Sequence, residues 1–165
     1  GEKDDNTLVC GVTIFENMNE KDENGNWIDI DNSLTLSGSE YATSNKQKIK
    51  FANKSGSNGL ISIKDGEYKI DFTPLNTNKV SVEIENPEGN NSRKFDDVKK
   101  LNKLVSKATY KDIYSGIDLE YILVGNNIKE NIIVKEKQSE YSFSFEIKLN
   151  KLIEDICIFI QKKGI

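Results

Sequence analysis

The stretch from Tyr110 to Val134 constrains the fold more than any other part of the chain. Ile117–Val124 is rich in β-formers, Gly125-Asn126-Asn127 is a turn cluster, and Ile128–Lys135 is a second β-rich run. Gly and Asn tolerate the positive φ of tight hairpin turns, so the pattern predicts a β-hairpin. Side chains alternate along a strand. Leu119, Tyr121 and Leu123 therefore share one face, and a two-residue loop adds Ile128, Glu130, Ile132 and Val134 to it. That face is apolar except for Glu130. The other face collects Asp118, Glu120, Ile122 and Val124 with Lys129, Asn131, Ile133 and Lys135. Acids there stand near lysines of the neighbouring strand, as cross-strand pairing favours.

The rest of the chain repeats this theme in shorter pieces. Residues 1–7 are charged and polar and read as a disordered tail. Leu8–Phe15 reads as a strand and Trp27–Ile30 as its return, across a turn ending in Asn24-Gly25. Asn32–Lys48 reads as loop with a short strand near Leu34–Leu36, followed by a strand fragment at Ile49–Ala52. Leu60–Lys64 and Glu67–Phe72 flank Asp65-Gly66 as a hairpin that Pro74 stops. Val80–Ile84 alternates. Asp96–Ser106 is the one helical candidate, with Val98, Leu101, Leu104 and Val105 near helical spacing, although a strand from Leu104 fits equally. Tyr141–Leu149 is the cleanest period-2 run, and Ile156–Ile160 closes the chain as β. The expected fold class is all-β: an antiparallel β-sandwich of short strands and hairpins with at most one short helix.

At 165 residues the chain fits a single β-module, residues 1–165. A chain of that size buries about two thirds of its unfolded surface. Only 36% of the residues are hydrophobic, which suits a thin two-layer structure or a fragment of a larger protein. Net charge is −4, the lysines are scattered and Arg93 is the only arginine. Nucleic-acid recognition wants a clustered basic face and arginine forks, so that partner class is not expected. No apolar run approaches the length of a membrane helix, so membrane insertion is not expected either. Cys10 and Cys157 read as buried thiols, and sequence alone leaves their pairing open.

The sequence contains no histidine, which removes Ser-His-Asp and Cys-His catalysis and His-ligated metals. No phosphate loop is present, and no cofactor is expected. Carboxylates near the hairpin (Asp112, Asp118, Glu120, Glu130) could in principle serve a glycosidase, which needs two at a defined separation. Alternation places Glu130 on the face opposite Asp118 and Glu120, so no catalytic pair and no enzyme is expected. Glu130 reads instead as a structural acceptor for a tyrosine hydroxyl, a backbone N–H or a lysine, with Tyr121 and Asp118 also structural. Glu20, Asp22, Asn24 and Asp31 echo a calcium loop, but the first and last ligand positions depart from its pattern. Trp27 with Tyr41, Tyr110 and Tyr114 could form a sugar-stacking platform. The competing reading, that these aromatics fill the core, is favoured by their apolar faces.

Two patches carry a family resemblance. Tyr110-x-Asp112-Ile113-Tyr114-x-Gly116-Ile117-Asp118-Leu119-x-Tyr121 precedes Lys129-Glu130-x-Ile132-Ile133-Val134 and then an alternating aromatic strand. Upstream, Asp22-Glu23-Asn24-Gly25-Asn26-Trp27-Ile28-Asp29-Ile30-Asp31-Asn32-Ser33-Leu34 fits a Gly-x-Trp-x-x-Ile-Asp-Asn-x-Leu signature. Together, over roughly residues 15–150, they resemble the N-terminal β-module of bacterial wall-associated proteins of the Rhs/YD-repeat, polymorphic-toxin type from low-GC Gram-positive bacteria. The resemblance implies a secreted or cell-wall location and a larger parent, with chemistry elsewhere in a C-terminal toxin domain. It implies a structural or adhesive role, with carbohydrate binding to cell-wall or host glycans as the alternative. In that family the module continues past the aromatic strand. The C-terminal strands are therefore expected to end in an exposed edge and to pair as a homodimer.

Overall fold

The computed structural model describes residues 7–13, 23–26, 30–45, 48–56, 59–87, 105–125, 127–150 and 159–163. Among the described residues twelve strands form: β1 (Thr7–Thr13), β2 (Thr35–Ser37), β3 (Glu40–Ala42), β4 (Lys48–Ala52), β5 (Ile61–Asp65), β6 (Tyr68–Pro74), β7 (Val82–Glu85), β8 (Val105–Tyr114), β9 (Ile117–Val124), β10 (Asn127–Val134), β11 (Phe145–Leu149) and β12 (Phe159–Lys163). They build two six-stranded sheets, β12-β1-β10-β9-β8-β7 and β11-β6-β5-β4-β3-β2. Every strand pairing is antiparallel. Each sheet is a sequential meander, β7–β10 or β2–β6, extended by strands distant in sequence. No described residue is helical, and no helix is long and apolar enough to cross a membrane among them.

The sheets face each other across one core. Phe51, Leu60 and Ile63 from the second sheet meet Tyr110, Ile113, Leu119, Tyr121 and Leu123 from the first. The Phe51 and Tyr121 rings lie 5.7 Å apart, and Tyr110 meets Tyr121 edge-on at 6.3 Å. A row of apolar residues crosses all six strands of the second sheet: Leu36, Tyr41, Phe51, Ile61, Phe72 and Ile147 stand in register. Polar bonds also tie the layers. The Tyr110 hydroxyl donates to Ala52 O (2.6 Å), Asn32 Nδ2 to Gly125 O (2.8 Å), and the Tyr114 hydroxyl to Leu75 O (2.6 Å). Because buried polar groups need partners, these bonds also fix how the sheets are set against each other.

The organising hairpin forms with the expected faces. Leu119, Tyr121 and Leu123 pair with Ile132, Glu130 and Ile128. Glycine at position 125, with φ of 56°, supplies the backbone conformation its turn requires. A second hairpin, β8–β9, turns at Ser115-Gly116. Gly116 has φ of 72°, and a Cβ there would sit 3.0 Å from Glu136 Cβ, so the turn needs glycine on both counts.

Several expectations change. β1 lies between β10 and β12, and the return strand expected at 27–30 falls largely outside the described residues. Residues 27–29 are outside the described residues, and Ile30 is not in a strand. The helical spacing at 96–106 ends in a strand, since Val105 and Ser106 open β8; residues 96–104 are outside the described set. Positions four apart, such as Leu101 and Val105, satisfy a helical stripe and also lie on one face of a strand, so spacing alone could not decide. The loop assigned to 32–48 contains β3. The Asp-Gly turn shifts by one residue: Asp65 pairs with Tyr68, leaving Gly66-Glu67 as the loop. Only Phe145–Leu149 of the aromatic run becomes a strand, and Ile147 and Leu149 stay exposed at the rim.

Candidate functional site

The residues singled out from sequence divide between the two faces of the first sheet. On the inner face, Glu130 stands directly across from Tyr121. Tyr121 is buried and hydrogen-bonds to the half-buried Glu130 carboxylate. Burial pushes the Glu130 carboxyl above the usual carboxylate range, and the tyrosine bond opposes that only in part. Burial, with the adjacent Glu130 charge, raises the Tyr121 phenol well above its ordinary value. Each group thus satisfies the other where water is scarce.

This pairing has a pH consequence. The Glu130 carboxyl is held higher in the folded protein than in the unfolded chain. Its contribution is therefore fully present below the unfolded carboxylate value and lost as pH rises through the folded one. Glu130→Gln keeps an acceptor for the Tyr121 hydroxyl without the charge. It should raise the melting temperature at neutral pH, with the gain shrinking as pH falls through the carboxylate range. Glu130→Ala leaves the hydroxyl unpaired and should cost about 1–3 kcal/mol, offset in part by the carboxylate desolvation it removes. Thermal melts of the three proteins across pH check both; an advantage of Glu130→Gln that grows towards acid would contradict the assignment.

On the outer face a bulge gathers the second group. β8 and β9 pair up to Tyr110 opposite Leu119 and resume at Tyr114 opposite Ile117. Asp112 lies in that bulge with φ of 53°, a conformation aspartate tolerates better than most residues. Its N–H donates to Asp118 Oδ1 (2.8 Å), and its carbonyl accepts from Asn78 Nδ2 (3.0 Å). Lys135 Nζ bridges Asp112 Oδ1 (2.6 Å) and Asp118 Oδ1 (3.0 Å). The bonds to Asp112 and then Asp118 raise the lysine above its ordinary value. Lys111 is raised likewise by Glu83, 3.0 Å away. Glu120 accepts from Asn131 Nδ2 (2.8 Å) and lies 3.6 Å from Lys107. Asp118 and Glu120 thus point away from Glu130 across the sheet, and no facing carboxylate pair arises from these three.

Of the four aromatics weighed as a platform, the three among the described residues lie in or against the core, the reading their apolar faces favoured. Tyr110 is fully buried with its hydroxyl committed to Ala52 O, so it is a core residue and not a ligand contact. Tyr41 is half-buried against the core beside Phe51. Tyr114 is half-buried, its ring 5.7 Å from Phe143, and burial raises its phenol. Trp27 lies outside the described residues. The tyrosines most open to solvent are Tyr68 and Tyr141, which sequence reasoning left on apolar faces. Tyr68 alternates with Ile70 and Phe72 but sits at the end of β6, where the core no longer covers that face. Its place beside the turn was the available signal.

The calcium reading falls half outside the described residues. Glu20 and Asp22 lie outside the described residues, Asn24 is exposed, and Asp31 Oδ1 accepts from Ser33 N–H (2.9 Å) as a local turn. Among the described residues no group of three or more His, Cys, Asp or Glu could hold a metal ion. Cys10 lies in β1, and Cys157 lies outside the described residues.

One feature was not foreseen. On the outer face of the second sheet Lys48, Lys64 and Lys69 stand directly opposite one another across β4, β5 and β6, all exposed. Like charges in that position are unfavourable. Asp71, 3.7 Å from Lys69, relieves one end of the row. Comparison with protein families, with curated proteins and with solved structures finds no match for this chain.

Proposed function

We propose that the chain is a non-catalytic structural or adhesive β-module of a secreted or cell-surface bacterial protein. One observation carries this reading. The side chains best suited to chemistry are spent on the framework: Tyr110, Tyr114 and Tyr121 through their hydroxyls, Glu130 through Tyr121, and Asp112 and Asp118 through the bulge. The family resemblance in the Tyr110–Val134 and 22–34 segments supports the location and the larger parent. The partners of such a module are cell-wall or host glycans, neighbouring domains of the parent, or a second copy of itself.

The carbohydrate-binding alternative is favoured by the lysine row on the second sheet, which suits an acidic glycan better than a neutral one. Co-sedimentation with purified Gram-positive cell walls, run beside a glycan array, separates the readings. An adhesive module pellets with walls and selects no single glycan. A carbohydrate-binding module selects acidic glycans, and Lys48→Glu with Lys64→Glu weakens that binding at least tenfold. A protein that neither pellets nor selects a glycan sinks both.

A further inference from the structure

We propose that two copies of the chain join through the free edge of β11, antiparallel, with Ile147 on the two-fold axis. The inference names one partner of the β-module proposed above and rests on that reading only for its setting.

Backbone groups of β11 alternate between its neighbour β6 and the open side. The Leu75 N–H donates to Ser144 O (2.9 Å) and the Asn150 N–H to Lys69 O (3.2 Å). Polar groups alternate sides along an antiparallel strand. Residues 144, 146, 148 and 150 therefore turn theirs towards β6, and Phe145, Ile147 and Leu149 turn theirs outward. No described strand lies beyond β11. Such an edge is a template for another strand.

The edges at β7 and β2 carry backbone cover. Beside β7, the Val82 N–H donates to Asn53 O (2.8 Å), and Lys54 bridges Ser81. At the start of β2 the Asn86 side chain accepts from Leu34 N–H (2.6 Å) and donates to Leu34 O (2.9 Å). β11 has no comparable cover among the described residues, and Ile147 and Leu149 are each 47% exposed.

The sequence of β11, Phe-Glu-Ile-Lys-Leu, is self-complementary when reversed about its centre. Antiparallel pairing about Ile147 sets Glu146 opposite Lys148 of the partner subunit and Lys148 opposite Glu146 of the partner subunit. Phe145 then meets Leu149 of the partner subunit. Outward-pointing Ile147 groups make the central pair a hydrogen-bonded one. The same register continues the apolar row from Leu36 to Ile147 into the second copy, covering side chains now in water. Within one copy, Lys148 Nζ already lies 3.2 Å from Glu146 Oε1, so both charges are on the face the pairing uses. Edge pairing through so short a strand buries little area, which makes the dimer concentration-dependent.

Sedimentation velocity of the full chain over a dilution series tests the proposal. The unaltered protein should move from monomer to dimer as concentration rises. Glu146→Lys sets lysines opposite lysines, and Lys148→Glu sets acids opposite acids. Each alone should weaken the dimer at least tenfold. Mixing the two variants should restore a dimer containing one of each, and Glu146→Lys/Lys148→Glu together should restore self-pairing. Lys148→Glu also faces Asp71 within the chain, so circular dichroism monitors its folding. A second measurement does not depend on charge. The Cα atoms of a hydrogen-bonded pair lie about 5.5 Å apart, inside the range a disulfide spans. Ile147→Cys should therefore cross-link to itself, identified by peptide mass spectrometry. A protein monomeric up to its solubility limit, a dimer indifferent to both charge reversals, or an Ile147→Cys variant that cross-links only through other cysteines would each overturn the proposal. Loss of wall binding by an intact dimer would overturn the adhesive reading and leave this one standing.

Discussion

Tyr121→Ala should destabilise the protein by about 3–5 kcal/mol, the range for truncating a large buried aromatic. Stabilities of single domains are about 5–15 kcal/mol, so a large share of the fold's margin hangs on this residue. The reason is its position between the sheets. Its ring meets Phe51 of the second sheet and Tyr110 of its own, and it is 2% exposed. Truncation opens a cavity that the two sheets cannot close without disturbing the bonds that tie them at Ala52 and Gly125. It also removes the hydroxyl that serves Glu130. Tyr121→Phe divides these effects: it keeps the ring, removes the hydroxyl, and should cost about 1–2 kcal/mol. Urea denaturation of both variants measures the difference. Equal losses for the two would mean that the hydroxyl, not the ring, carries the effect.

Asp118→Ala should cost about 2–3 kcal/mol, mainly by leaving the bulge without its acceptor, since bonds to a charged group are among the stronger ones. Asp118 is 7% exposed, accepts from the Asp112 N–H and sits 3.0 Å from Lys135. The bulge is what allows Ile113 to reach the core after Tyr110, because it shifts the alternation between the two. Asp118→Asn retains an acceptor oxygen and should cost less than half as much. Lys135→Met should change stability little, since its ammonium is open to solvent and screened. Amide exchange at Asp112 supplies the local readout: it should accelerate in Asp118→Ala and stay slow in Lys135→Met. The reverse order would place the stabilisation in the ion pair.

The strands of the centre, and which of their side chains face inward, were legible in the sequence. Period-2 alternation is a local property, and Leu119, Tyr121 and Leu123 against Ile128, Glu130 and Ile132 needed only a short turn to define their register. Glu130 on the apolar face beside Tyr121 followed from the same count, while the choice of the hydroxyl over a backbone N–H or a lysine did not. What alternation cannot convey is which distant strand completes a sheet, because that depends on contacts between parts of the chain far apart. β1, for example, joins β10 and β12 from the far end of the chain. Nor can it convey depth. Tyr68 and Ile147 alternate as regularly as Tyr121, yet each is exposed because the opposing sheet does not extend over it. Tyr110 was readable as an inward residue but not as one whose hydroxyl would be buried against Ala52 of the other layer. Local periodicity decides the side of a strand; the extent and offset of the sheet packed against it decide whether that side meets protein or water.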